Sequence, residues 1–304
     1  MKNRMINRHS ASMILKSVIL VLLFTVPGFI QAQVDTFYKV ANRPVKNTFE
    51  SVWLIDHQTL EVPIKGTFEM DFQHRFGTWD KGYEDLYGLF AASNIRIGFD
   101  YVPVPRLMVG FGITKYNQLW DFYGKYALLK QGKEDGPFLS LTYYVNAAID
   151  TRSEEKKDFA ESSDRWSYFH QVMIGRKISD KFSLQLSGNL SWFNFKEPMM
   201  DAEGVPLGTD QNMQISASAI ARYKLSSVFG LIVEYDQPIT DQEFFDPESN
   251  YSVGLELVTS AHAFQFFVGN YQGLVPQYNH TYNPNSWGDN QILVGFNITR
   301  LWNF

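Results

Sequence analysis

Ionisable residues recur at alternate positions along short stretches of this 304-residue sequence. Glu69 and Asp71 precede Arg75 in one stretch, and Arg96 and Asp100 occur in the next. This spacing places each set on one face of a β-strand, because successive side chains of a strand point to opposite faces. A face with both signs of charge can line a selective pore or binding cavity, or its charges can pair and fill a closed interior. The candidate lumen-lining residues are Glu69, Asp71, Arg75, Arg96, Asp100, Asp121, Lys125, Arg222, Glu234, Asp236 and Glu256.

The opposite face of these stretches is aliphatic and aromatic. Phe182, Leu184 and Leu186, for example, alternate with Ser183 and Gln185. Many stretches reach the roughly 9–11 residues that a tilted membrane strand needs. We therefore predict an all-β fold, a single antiparallel transmembrane β-barrel of about 12 strands. The predicted strands lie near 66–77, 94–103, 106–114, 118–129, 137–149, 165–177, 181–195, 211–224, 227–237, 249–259, 262–271 and 290–303.

The connections between these strands differ in length according to their order. The first, fifth, seventh, ninth and eleventh are long, and the even-numbered ones are mostly tight turns. Membrane barrels place long loops outside the cell and short turns in the periplasm, so both chain ends are expected in the periplasm. The third connection, which is short, and the fourth, which is longer than expected, depart from this rule.

The N-terminus has the layout of a secretory signal. Basic residues precede an apolar run of about 13 residues, too short to span a bilayer, and Ala32 ends the expected cleavage region. We assign residues 1–32 to a signal peptide, with an uncleaved anchor as the alternative, and residues 66–304 to the barrel. Residues 33–65 are either a periplasmic lead-in or a plug, and the sequence does not choose. The expected location is the cell outer membrane.

Composition excludes several kinds of chemistry. The chain has no cysteine, so disulfides and thiolate metal sites are excluded. Removal of the signal peptide lowers the formal charge from -5 to -9, which disfavours nucleic acid as a partner. The six histidines are scattered, and we expect neither a histidine-rich metal site nor a cofactor.

The C-terminal strand resembles the targeting strand of outer-membrane barrels. Phe296, Ile298, Trp302 and Phe304 share one face, although Arg300 stands where an apolar residue is expected. The expected partners are therefore membrane lipid and the outer-membrane assembly machinery, which would bind the strand that ends at Phe304.

The sequence also resembles a known family. The matching stretches are RPVKNTFES at 43–51, QHRFG at 73–77, HAFQ at 262–265, WGD at 287–289 and GFNITR at 295–300. They are similar to the domain-of-unknown-function family 5777 (DUF5777), a set of β-barrel proteins from Bacteroidetes. The resemblance covers nearly the whole mature chain. It implies an outer-membrane barrel and no particular activity.

Three functional classes stay open at this point. The first is a pore for small polar solutes, which requires an open lumen. The second is a plugged structural or interaction barrel that serves a periplasmic or cell-surface assembly. The third and least favoured is a lipid-active enzyme, in which outward-facing His74 or His170 would need a serine or an acid nearby. No convincing serine is found on those faces, so the sequence favours a protein that is not an enzyme.

Overall fold

The computed structural model of the protein describes residues 44–133, 136–153 and 159–303. The expected signal peptide, residues 33–43 and Phe304 lie outside the described residues. The chain divides into two compact units, of which the larger comprises residues 45–131 and 138–304. In the smaller unit, Pro44 and Gly132 form an antiparallel bridge, and the Gly132 N–H donates to the Pro137 carbonyl over 2.9 Å.

Twelve antiparallel strands of the larger unit form a closed barrel, as predicted. Each strand pairs with its neighbours along the chain, and the last strand pairs with the first to close the sheet. The barrel strands are β3 (Thr67–Thr78), β4 (Asn94–Val104), β5 (Leu107–Thr114), β6 (Leu119–Leu129), β7 (Ser140–Asp150), β8 (Trp166–Lys177), β9 (Phe182–Phe193), β12 (Met213–Lys224), β13 (Phe229–Pro238), β14 (Asn250–Val258), β15 (His262–Gly269) and β16 (Leu293–Asn303). Two separate two-stranded sheets are not part of the barrel wall. One pairs β1 (Trp53–Leu54) with β2 (His57–Gln58), and the other pairs β10 (Met199–Met200) with β11 (Pro206–Gly208).

The barrel turns its polar face inward. Arg96 and Lys125 are fully buried, whereas Phe266 on the opposite face is 61% exposed. A soluble barrel would show the reverse, so the apolar outer face fits a lipid environment. Closure pairs the backbone groups of every wall strand, which a sheet in lipid requires. Within the described ranges, no helix is both long and apolar enough to cross a membrane.

The connections sort to the two ends of the barrel much as the sequence indicated. Long connections lie at one end, called here the long-loop end; they include residues 79–93, 151–153, 159–165, 194–212, 239–249 and 270–292. Three 3-10 helices, Trp79–Asp85, Tyr116–Gln118 and Ser162–Arg165, lie in connections at this end, as does the α-helix α1 (Pro276–Thr281). The opposite end, called the short-turn end, carries the remaining connections, of which 130–139 is again longer than the others.

Residues 45–62 enter the barrel from the short-turn end and are called here the inner hairpin. The Val45 N–H donates to the Gln131 carbonyl at that end, and the chain then runs to a turn at Ile55 and Asp56. Strands β1 and β2 flank this turn, with Trp53 opposite Gln58. The chain returns to the short-turn end, where β3 begins.

Candidate functional site: the barrel interior

The inner hairpin places apolar side chains inside the lumen. Val52, Leu54 and Ile55 are at most 3% exposed, although the wall around them is largely polar. They belong to a buried cluster with wall residues such as Met108 and Phe169. Trp53 packs edge-on against the Tyr123 ring at a centroid distance of 6.1 Å. The hairpin therefore closes the lumen at this level by direct packing.

Two wall glutamines clamp the hairpin backbone. The Gln265 amide donates to the Trp53 carbonyl over 2.8 Å, and its oxygen accepts from the Ile55 N–H over 3.0 Å. Gln185 repeats the arrangement on the returning strand, donating to the Gln58 carbonyl over 3.0 Å and accepting from the Leu60 N–H over 2.9 Å. Each side-chain amide thus hydrogen-bonds to one N–H and one carbonyl of the buried hairpin backbone, whose groups are not all paired between β-strands.

Two wall cations also bind the hairpin. Arg75 donates to the Ile55 carbonyl over 2.9 Å, and Lys125 donates to Oε1 of Gln58 over 2.6 Å and to the Thr59 carbonyl over 3.2 Å. None of these contacts is an ion pair. Neutral dipoles of the hairpin contact both side chains, and the Asn297 amide of the wall also accepts from Arg75 over 2.9 Å.

A second set of charges pairs within the wall. The Arg96 guanidinium lies 2.8 Å from the Asp71 carboxylate and 2.9 Å from the Asp121 carboxylate, and all three side chains are buried. Glycine makes room for it, because a Cβ at Gly112 would lie 2.3 Å from Nη2 of Arg96. The Gly-x-Gly of β5, formed by Gly110 and Gly112, therefore has a packing role.

Three further predicted carboxylates lie in contrasting surroundings. Glu256 accepts from Arg222 and from the Ser51 hydroxyl of the hairpin. Glu69 and Asp100 face each other across β3 and β4, and within the described chain their carboxylate oxygens have no hydrogen-bond partner. These two carboxyl groups therefore lack the cationic partner that Asp71 and Asp121 have in Arg96.

The helix α1 closes the lumen from the long-loop end. Gln277 donates to Oδ1 of Asn146 on the wall over 3.1 Å, and His280 Nδ1 lies 2.9 Å from the Ser216 hydroxyl. Asn279 hydrogen-bonds to Asp56 at the hairpin tip. The two inserted segments thus meet inside the barrel, near the long-loop ends of β13 and β14, where Asp236 and Asn250 lie.

The two histidines at this meeting point have opposite protonation preferences. Burial lowers the pKa of His280 to about 4, so its imidazole is neutral at pH 7. Burial also opposes the charge on His57, but the adjacent Asp236 carboxylate outweighs it and raises the pKa of His57 to about 10. Nε2 of His57 lies 3.0 Å from Oδ2 of Asp236.

A vestibule opens above α1 at the long-loop end. It is a cavity of about 390 Å³ whose lining includes Arg152, Arg165, Lys196, Trp166 and Tyr278. Arg152 pairs with the Asp150 carboxylate over 2.6 Å. The vestibule lining therefore combines cationic and aromatic side chains.

All eleven predicted lumen-lining residues point inward and are at most 7% exposed; they are Glu69, Asp71, Arg75, Arg96, Asp100, Asp121, Lys125, Arg222, Glu234, Asp236 and Glu256. The structure joins Arg96 to Asp71 and Asp121, and Arg222 to Glu256. Sequence reasoning missed the clamps Gln185 and Gln265. The strand alternation placed Gln185 on the polar face, and the same alternation turns Gln265 inward in β15, but neither position indicated a contact with the hairpin.

The outward histidines lie among aromatic rings. The His74 ring stacks on Phe296 at a centroid distance of 5.1 Å, and its Nδ1 has no hydrogen-bond partner in the described chain. His170 Nδ1 contacts the Tyr143 hydroxyl at 2.6 Å. His170 therefore contacts a tyrosine, where a serine-based site would need a serine or an acid.

Comparison with known proteins identifies the family. Residues 49–302 match the membrane-bound β-barrel domain family DUF5777, and the chain belongs to that family. No curated protein matches the sequence. Among solved structures, the chain is similar to the COG4313 outer membrane channel from Pseudomonas putida F1, with 13% identity over 80% of this chain and 97% of that one, and a TM-score of 0.48. It is also similar to the NanC porin, with 9% identity over 78% of this chain and 99% of that one, and a TM-score of 0.47. Similarity of this degree does not say what the protein binds or transports.

Proposed function

We propose that this member of the membrane-bound β-barrel family is an outer-membrane channel for small polar solutes, closed by the inner hairpin and by α1 until the hairpin is displaced. The observation that carries the proposal is the pairing of wall groups with hairpin backbone. Lys125, Gln185 and Gln265 hold the hairpin through its carbonyl and amide groups. When the hairpin leaves, the same side chains line a polar passage.

The cost of buried charge supports a transport role. A barrel that served only as a scaffold could fill its interior with apolar side chains, because each buried ion costs several kcal/mol of desolvation. Here Arg75, Arg96 and Lys125 are all fully buried in the lumen. In an open state these charges would line a hydrated lumen and select the solutes that pass, since charges of both signs attract and order polar solutes.

A permanently closed scaffold is the second candidate, and one observation favours it. Val52, Ile55 and Leu60 of the hairpin are buried in a common apolar cluster with the wall. Withdrawal of the hairpin would expose these side chains to water, which costs free energy. Under this alternative the vestibule and loops would bind a partner, and no solute would pass. We propose no enzymatic role, since His74 and His170 contact aromatic and phenolic groups.

Single-channel recording separates the two candidates. The variant Gln185→Ala/Gln265→Ala removes both clamps and leaves the buried charges in place. We expect it to open more often than the wild type in a planar bilayer, with conductance that rises with salt. Gln73→Ala is the matched control, because Gln73 is a buried wall glutamine whose amide contacts no hydrogen-bond partner in the described chain. A folded double variant whose hairpin is accessible to protease, yet which never conducts, would contradict the channel and support the scaffold.

A further inference from the structure

Three potential metal ligands from three separate elements meet where the inserted segments touch. His57 comes from the inner hairpin, Asp236 from wall strand β13 and His280 from α1. Each side chain offers one ligand atom, and these atoms all lie within 4.8 Å of one another. All three residues are at most 3% exposed. The histidines are far apart in the sequence, which is why the scattered histidines gave no indication of a metal site.

Hydrogen bonds from neighbouring side chains orient these ligands. The Ser216 hydroxyl contacts Nδ1 of His280, which leaves Nε2 of that ring available to a metal ion. Asn250 donates to Oδ2 of Asp236 over 3.1 Å. Hydrogen bonds of this kind fix the tautomer of a ligating imidazole and the direction of a ligating carboxylate.

Polar groups next to the cluster leave the three ligands facing one another. Asn279 of α1 hydrogen-bonds to Asp56, the neighbour of His57 in the chain. The Arg75 guanidinium donates to the Ile55 carbonyl over 2.9 Å and does not pair with the ligand carboxylate of Asp236.

We propose that His57, Asp236 and His280 bind a divalent first-row transition-metal ion, with zinc as the probe, and that the ion fastens the hairpin and α1 to the barrel wall. Two imidazoles and a carboxylate are a donor set that such ions accept. Binding requires small side-chain rotations that bring all three ligand atoms to about 2.0–2.2 Å from one ion. His57 must give up the proton that it shares with Asp236, so binding releases that proton to solvent. The proposal stands on this cluster and does not depend on whether the barrel conducts.

Zinc binding to the refolded full-length mature protein tests the site directly. The protein is stripped with chelator, and zinc is titrated against a fluorescent zinc indicator. Heat-modifiability on gels reports the unfolding temperature of the barrel in parallel. We expect about one zinc ion per chain and a higher unfolding temperature with zinc, reversed by chelator. Cobalt in place of zinc should give visible absorption bands of a low-coordinate site.

Variants assign the ion to these residues. His280→Gln removes one ligand from a loop helix that is not part of the barrel sheet, so the barrel should still fold. It should weaken zinc binding more than Ser216→Ala, for which about tenfold is expected because the hydroxyl that orients the His280 ring is lost. His262→Gln is the control, because His262 lies beside a turn at the short-turn end. Equal zinc affinity in the wild type and His280→Gln, or no zinc bound by folded wild type, would overturn the proposal.

Discussion

Two sets of interior polar groups differ in where their partners lie. Arg96 bonds to Asp71 and Asp121, and all three belong to the wall. Lys125 and Gln265 instead bond to the inner hairpin. The wall set keeps its ion pairs wherever the hairpin lies. When the hairpin leaves, Lys125 loses Gln58 and Thr59, and Gln265 keeps only its wall contacts with Glu256 and Asn297. The difference indicates that the first set stabilises the barrel and that the second sets whether the lumen is closed.

The substitution Arg96→Met should have the largest effect on the barrel. It leaves Asp71 and Asp121 buried without their cation, and breaking a buried pair of this kind costs about 3–5 kcal/mol. Urea unfolding in lipid vesicles, monitored by tryptophan fluorescence, measures the decrease in the free energy of unfolding. Lys181→Met in an exposed turn is the control and should change stability little. A loss no larger than that of the control would show that the wall set does not stabilise the barrel.

The substitution Gly112→Val should have the next largest effect, through the same wall set. Its side chain would collide with the Arg96 guanidinium, and overpacking typically costs about 1–3 kcal/mol. Gly188→Val is the matched control, since a Cβ at Gly188 meets no atom within 4 Å. The same unfolding assay compares the two variants, and equal stability would contradict the packing role of Gly112.

The substitution Lys125→Met tests the hairpin set. It removes the donor to Gln58 and Thr59. We therefore expect the binding of the hairpin to the wall to weaken by about 1–3 kcal/mol, with a smaller effect on the barrel itself. The readout is maleimide labelling of a cysteine placed by Leu54→Cys, which is unique because the chain has no other cysteine. Labelling should speed up in Lys125→Met and not in Lys181→Met. Unchanged labelling with reduced barrel stability would place Lys125 in the wall set.

The substitution His74→Phe should have the smallest effect. His74 already stacks on Phe296 at the outer face, and a phenyl ring keeps that contact. Stability should stay within about 0.5 kcal/mol of the wild type in the vesicle assay. A larger loss would reveal a polar role for this ring that the structure does not explain.

The sequence was sufficient to predict the barrel because lipid imposes a regular pattern on it. Every wall strand must alternate polar and apolar residues, and this period of two persists over 8–12 residues in each strand. The inward direction of residues such as Arg96 and Glu256 followed from the same alternation. Their partners did not follow, because pairing across strands depends on register and on side-chain length.

The inserted segments could not be predicted for a physical reason. Strands β1 and β2 have two residues each, too short for a periodic pattern, and side chains of the wall hold their backbone. The helix α1 has six residues and begins at Pro276, and a helix of that length has little intrinsic stability. Both segments are ordered by contacts that exist only once the barrel has closed.

The central claim is that the inner hairpin closes a polar channel, and a removable bridge between hairpin and wall tests it most directly. Thr142 on β7 donates to the Leu60 carbonyl over 3.2 Å, so Leu60→Cys and Thr142→Cys can be joined by a short linker that reductant cleaves. The bridge is placed in the Gln185→Ala/Gln265→Ala background and its completeness is checked by mass spectrometry. We expect single-channel recordings to be silent when the bridge is intact and to show openings after reduction. Openings that persist unchanged with the hairpin bridged to the wall would contradict the account.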